Sequence, residues 1–231
     1  MSALKKAVVG VVLAGCAMGV QAHKAGDIIV RVGATNVTLD DSISTPELNG
    51  NALYGANVSV DSDTRLGVTG TYMITDNFGV GLLAAAPFQH RLNGNSTVGA
   101  AFGTTDLGKT RLLPPTLTAQ YYFNNSTVFT PYLGAGINYS WFYGEDASRE
   151  LNTTLGGDVD LDIDNSWGYA LEAGLDVDLG DNWLVNAGVW YLPVDTEATY
   201  TVKNGPLASS KVKANVEADV WVYMASVGYR F

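Results

Sequence analysis

Apolar and polar residues alternate one for one along most of this 231-residue chain. In the closing stretch, Trp221, Tyr223, Ala225, Val227, Tyr229 and Phe231 share one face, and Met224, Ser226, Gly228 and Arg230 share the other. A period of two is the strand period. Eight such runs are expected, at about 27–38, 64–75, 78–88, 112–123, 129–143, 166–179, 183–193 and 216–231. The connections between them alternate in length. Asp76-Asn77, residues 124–128 and Gly180-Asp181-Asn182 are short and carry hairpin chemistry. Residues 39–63, 89–111, 144–165 and 194–215 are long and polar.

Strict alternation of short and long connections puts three tight turns and both termini at one end of an up-and-down barrel. The four long loops lie at the other end. The pattern predicts an all-β fold: an eight-stranded antiparallel transmembrane β-barrel over 23–231, with periplasmic turns and extracellular loops. The faces agree. Phe78, Val80, Leu82, Ala84, Ala86 and Phe88 form one apolar face, and Trp167, Tyr169, Leu171, Ala173, Leu175, Val177 and Leu179 another. Aromatic residues near both ends with aliphatic ones between them match a bilayer and its two interfaces. The opposite faces carry Gly134, Gly136, Asn138, Gly168, Glu172, Gly174 and Asp176, which suit a narrow lumen. A soluble sandwich or lipocalin-like barrel would point its aromatic faces inward, and the long loops argue against it.

Composition narrows the setting. Charged residues make up 16% of the chain, and the net charge of −10 excludes a basic nucleic-acid footprint. Residues 1–22 read as a cleaved export signal: Lys5 and Lys6, an apolar run over 7–20, and a cut after Ala22. A competing lipoprotein box, Leu13-Ala14-Gly15-Cys16, would instead leave a lipidated Cys16. Cleavage after Ala22 removes the only cysteine and two of the 13 basic residues, leaving 11 against 23 acidic and a charge of −12. The expected location is the outer membrane of a Gram-negative bacterium. An edge left in lipid is prohibitive, so the last strand must pair with the first. Tyr229 and Phe231 on that strand read as the assembly signal for the barrel-assembly machinery.

With those stretches in hand, the chain resembles the outer membrane protein W family. The likeness rests on HKAGD at 23–27, TYMITDNFGVGLLAAAPFQH at 71–90, LPPTLTAQYYF at 113–123, PYLGAGINY at 131–139, DNSWG at 164–168, DNWLVNAGVWY at 181–191 and GYRF at the close. It implies an eight-stranded barrel with a narrow, mostly hydrophobic lumen that passes small apolar molecules across the outer membrane. The resemblance of HKAGD to the family's mature N-terminus favours the cut after Ala22. The four long loops match no family pattern.

Inward positions sort by height. Arg31, Glu172, Asp176, Asn186 and Arg230 form a charged floor near the periplasmic end. Leu83, Pro87, Leu112, Pro114, Phe142, Trp190, Leu192, Val222 and Met224 line an apolar funnel nearer the loops. Charges persist in such a place only when paired, so the floor blocks ions and water. An apolar solute from outside then has to leave sideways. Pro114-Pro115 and Pro87 cannot donate to a ladder, so they mark a gap in pairing and a candidate lateral opening. The same apolar residues equally suit a plugged structural or surface-receptor barrel whose loops carry the function. Expected partners are outer-membrane lipid, lipopolysaccharide and small hydrophobic solutes.

Catalysis and cofactors find little support. His90 with Ser96 or Asp106 is the best candidate for a hydrolytic arrangement, and its spacing is undistinguished. It reads instead as the cap of the third strand. Asp158, Asp160, Asp162 and Asp164 alternate with Val159, Leu161 and Ile163, as on a strand above the membrane. Their spacing is not that of a calcium loop, and no metal or cofactor is expected.

Overall fold

The computed structural model describes residues 23–43 and 46–231, so the expected leader lies outside the described residues. Among the described residues fourteen strand segments and two short helices follow in chain order. They are β1 (Ile28–Ile43), β2 (Glu47–Leu48), β3 (Asn51–Ala52), β4 (Val58–Val60), β5 (Asp63–Met73), β6 (Phe78–Ala85) and β7 (Phe88–Gly94). After α1 (Ser96–Phe102) come β8 (Asp106–Leu113), β9 (Thr116–Tyr122) and β10 (Phe129–Ala147). After α2 (Arg149–Leu155) come β11 (Val159–Ile163), β12 (Ser166–Gly180), β13 (Trp183–Val202) and β14 (Lys211–Arg230).

The wall is a closed antiparallel ring, β1-β5-β6-β9-β10-β12-β13-β14 and back to β1. These are the eight staves that the alternation predicts. The third and fourth are each broken in two, β6 continuing as β7 and β8 preceding β9. Closure runs from Ile29 opposite Arg230 to Ile43 opposite Val216. The Phe231 N–H donates to the Ile28 carbonyl (2.9 Å), so the closing strand is tied to the first up to its last residue.

The outer wall is built for lipid. Leu66, Leu82, Leu133, Ile137 and Leu171 are all exposed on it. Trp183 and Phe231 flank Tyr229 at one rim (centroids 5.0 and 4.8 Å), while Tyr139 meets Trp167 (4.6 Å) and Tyr191 meets Trp221 (5.1 Å) at the other. From Tyr229 back to Trp221 the wall rises roughly 20 Å, at about 3.4 Å per residue and about 40° tilt, which fits the lipid-facing band of such barrels. Among the described residues no helix is long and apolar enough to cross a membrane.

The tight turn expected at Gly180-Asp181-Asn182 has Asp181 at φ 50° and Asn182 at φ 68°. Both central residues sit in the left-handed region that a type I′ hairpin demands. At the other end the staves outrun their expected limits. β13 continues to Val202 and β14 starts at Lys211, so the expected loop at 194–215 is mostly ladder, paired from Pro193–Asp219 up to Thr201–Lys211. Above the belt the apolar side moves inward: Val212, Ala214, Val216 and Ala218 face the lumen, and Lys213 and Glu217 face water.

Helix α1 is capped by Asn95, whose Oδ1 accepts from the Val98 N–H (3.1 Å), and α2 by Ser148, whose Oγ accepts from the Leu151 N–H (3.0 Å). Val98 and Leu151 are buried in one apolar cluster with Val159, Leu161 and Ile163 above the barrel.

Candidate functional site

The lumen has three levels. At the bottom, the Arg31 guanidinium faces Asp176, Nε donating to Oδ1 (3.0 Å) and Nη2 to Oδ2. Arg31 also donates through Nη1 to Thr71 Oγ1 (3.0 Å) and through Nη2 to the Tyr122 hydroxyl (3.2 Å). Its charge lies 5.5 Å from the centre of the Tyr132 ring. The Asp176 carboxylate is filled from the other side by Asn186 Nδ2 (2.8 Å) and by His23 Nε2 (3.2 Å). One storey higher, Glu172 accepts from Gln120 Nε2 (2.9 Å) and Thr118 Oγ1 (2.6 Å). The Gln120 carbonyl then accepts from Thr71 (3.1 Å) and Tyr122 (3.0 Å), linking the two storeys. Every one of these side chains is buried. Paired and bonded charges of this kind can persist at membrane depth.

Glycine gives the network its room. A Cβ on Gly174 would fall 2.3 Å from Tyr132 Cζ, and one on Gly81 2.3 Å from Gln120 Nε2. Arg31, Glu172, Asp176 and Asn186, expected here from the sequence, come together in the structure. His23, Thr71, Gln120, Tyr122 and Tyr132 join them without having been expected. Their inward phase was a usable signal: Gln120 and Tyr122 alternate with the outward Tyr121 and Phe123. Arg230 is buried at the same end, where it joins Asp178 Oδ2 (3.2 Å) and Asp27 Oδ2 (3.9 Å) beside the central pair.

Above the floor the lumen is apolar. Leu83, Trp190, Leu192, Val222 and Met224 are buried together with Phe88, and Phe142 is half-buried against them. Leu112, directly opposite Phe88 on the β7–β8 ladder, is buried as well. Two adjoining cavities, of about 80 and about 230 Å³, lie between this cluster and the helices. They share Val58, Ala198, Tyr200 and Ala214 as walls.

The two broken staves part at this height. The third and fourth are paired up to Leu83–Thr116 and again from Phe88–Leu112. Residues 84–87 and 113–115 between those points do not pair with each other. Pro114 is buried, Pro115 is half-buried and Pro87 is exposed. Pro87 is therefore not a funnel residue. Ala86 and Pro87 both face outward, and this slip of one position turns Phe88 inward, opposite to the face on which strict alternation puts it. Three of the backbone groups there are satisfied elsewhere. The Ala86 N–H donates to the Leu66 carbonyl (2.9 Å), the Pro115 carbonyl accepts from the Tyr139 N–H (3.1 Å), and the Pro114 carbonyl accepts from Thr116 Oγ1 (3.0 Å).

His90 does not cap the third stave, which continues to Gly94. The ring is buried, and Nδ1 lies 2.8 Å from the Asp61 carbonyl, an acceptor, so Nδ1 carries the proton. Neither Ser96 nor Asp106 is its recorded partner. The level is above the lipid belt, because Gln89 and Arg91 on either side face outward. Burial pushes the imidazole below its ordinary pKa, despite the Asp61 carbonyl and the nearby Asp63 and Asp61 carboxylates. In the acidic run, Asp160 pairs with Lys203 (2.8 Å) and Asp158 accepts from Asn204 (2.8 Å). Among the described residues no cluster of three or more His, Cys, Asp or Glu is placed to hold a metal ion.

This ring and floor can be set beside known proteins. The OmpW family model matches residues 24–231. The chain belongs to the OmpW family. Outer membrane protein W of Vibrio cholerae is 45% identical over 213 residues, 91% of each chain. The crystal structure of outer membrane protein OprG from Pseudomonas aeruginosa superposes with a TM-score of 0.83 at 40% identity, covering 92% of this chain and 99% of that one. A more distant relative is the dibenzothiophene metabolism operon protein PahQ of Pseudomonas aeruginosa, 28% identical over 201 residues and 87% of each chain. As an OmpW family member the chain is an outer-membrane β-barrel.

Proposed function

We propose that this OmpW family barrel carries small hydrophobic molecules passively into the outer membrane. The solute enters between the extracellular loops and occupies the apolar cavities. The Arg31–Asp176 and Glu172 networks deny it a straight path to the periplasm. It leaves sideways through the unpaired stretch between residues 84–87 and 113–115. The observation that carries this reading is the stacking of an apolar cavity, a hydrogen-bonded polar floor and a break in pairing between them. The name of PahQ, which ties that relative to dibenzothiophene metabolism, points the same way. Lipopolysaccharide around the upper wall and the assembly machinery acting on Tyr229 and Phe231 are the proposed partners.

Uptake of a small apolar compound into cells lacking other such channels tests the proposal. The wild type is expected to speed uptake. A Leu83→Arg variant, shown to assemble by heat-modifiable migration, is expected to abolish the gain. Equal uptake with and without the protein overturns it. That result would favour the second reading, a plugged barrel with functional loops, which the packing of Trp190 and Phe88 across the middle level supports.

A further inference from the structure

The smaller cavity is apolar on nearly every side: Leu39, Val60, Leu92, Leu112, Phe142 and Val194 are among its walls. Four polar side chains interrupt it: Thr196, whose hydroxyl donates to the Asp164 carbonyl, Tyr200, His90 and Thr110. His90 and Thr110 stand directly opposite each other on the β7–β8 ladder, and both line this cavity. His90 is 1% exposed and Thr110 3%. Neither His90 Nε2 nor Thr110 Oγ1 has a hydrogen-bond partner among the described residues. Buried polar atoms are nearly always partnered, so an orphaned pair needs an explanation.

The pair has a definite hydrogen-bonding character. Nδ1–H is committed to the Asp61 carbonyl, so Nε2 offers a lone pair and can only accept. Burial, which lowers the imidazole's basicity, favours this neutral form. The threonine hydroxyl can donate. Side by side, one acceptor and one donor in an apolar chamber match a neutral hydroxyl group, which donates once and accepts once. An alkane satisfies neither atom. An aldehyde or ketone satisfies only Thr110. A carboxylate or ammonium brings an uncompensated charge into an apolar site.

We propose that the His90–Thr110 pair is a binding site for apolar solutes bearing one hydroxyl, such as medium-chain alcohols. The O–H donates to His90 Nε2, the hydroxyl oxygen accepts from Thr110 Oγ1, and the chain lies in the adjoining larger cavity. The site rests on the transport reading for its physiological meaning, since it lies on the proposed solute path.

The test is occupancy, not flux. Imidazole ¹⁵N spectra of the full barrel in phospholipid nanodiscs, at about pH 8 where histidine is neutral, report Nε2 directly. His23, the other of the two histidines, serves as internal reference. Titration with 1-octanol is expected to move the His90 Nε2 signal to a hydrogen-bonded position and saturate. Octane and octanal are expected to leave it in place. A Thr110→Val variant keeps the reporter and is expected to weaken the octanol midpoint by a few-fold to about tenfold, the worth of one hydrogen bond. If octanol moves Nε2 no more than octane does, or Thr110→Val leaves the midpoint unchanged, the paired site is wrong. Solute uptake with a silent His90 signal sinks this inference alone. A saturating signal without uptake sinks the transport reading and leaves the site standing.

Discussion

Arg31 and Asp176 lie 145 residues apart in sequence and meet through two hydrogen bonds across the bore. The carboxylate takes two further donors and the guanidinium two further acceptors, so neither charge is left bare. Breaking such a pair from one side is costly. Asp176→Ala is expected to destabilise the barrel by about 3–5 kcal/mol, because it strands a buried guanidinium. Replacing both residues with apolar ones of similar size is expected to cost far less. Urea unfolding in lipid vesicles measures both, and equal losses in the two variants would contradict the pairing argument.

The floor depends on missing side chains as much as on present ones. Gly174→Val puts carbon where the Tyr132 ring stands and displaces the hydroxyl that accepts from Asn186 (3.1 Å). The expected loss is about 1–3 kcal/mol, typical of overpacking. An unchanged urea midpoint would mean that Tyr132 has another place to go.

His90 makes the extracellular half sensitive to acid. Its pKa is lowered on folding, so between that value and the unfolded value of about 6.5 the unfolded chain binds more protons. Its contribution is fully present above about pH 6.5 and is lost as pH falls from there towards the folded pKa. The unfolding free energy is expected to fall as pH drops below about 6.5, with a shallower slope in His90→Gln. Identical slopes would show that His90 titrates alike in both states.

Pro114 faces the third stave. In an antiparallel ladder a residue's N–H and C=O point to the same neighbour, and the Pro115 carbonyl already turns to Tyr139 on the other side. Pro114→Ala therefore adds a donor aimed at the gap. We expect slower exchange of backbone amides around residues 84–86 and a several-fold drop in solute uptake. Slower exchange without any change in uptake would separate the gap from the exit route.

Much of this was legible in the chain because a bilayer enforces period two on one face. Leu133, Ile137 and Leu171 had to face out, which put Glu172 and Asp176 in the lumen. The same rule hid the upper barrel. Along β14 the alternation continues without a break through Lys211–Val220, but beyond the rim the apolar residues are the inward ones. A reading tuned to apolar-outward strands stops where that polarity inverts. The slip at Ala86-Pro87 was invisible for another reason: one proline announces a break but not which way the next side chain turns. Residues 95–104, rich in Gly, Ser and Thr, read as loop, and only Asn95 and Gly103 mark the helix between them. The orphaned pair of His90 and Thr110 needed the cross-strand register, which no single run contains.

The interruption between the third and fourth staves has a bearing on the company the protein keeps. A break in a sheet ordinarily offers a row of free N–H groups, and stray strands from other chains dock there. Here the positions nearest the break are Pro87, Pro114 and Pro115, and the Ala86 N–H and the Pro114 and Pro115 carbonyls are already bonded elsewhere. Such a seam has almost nothing to say to another polypeptide. It can yield to an oily molecule in a crowded membrane without becoming a template for aggregation.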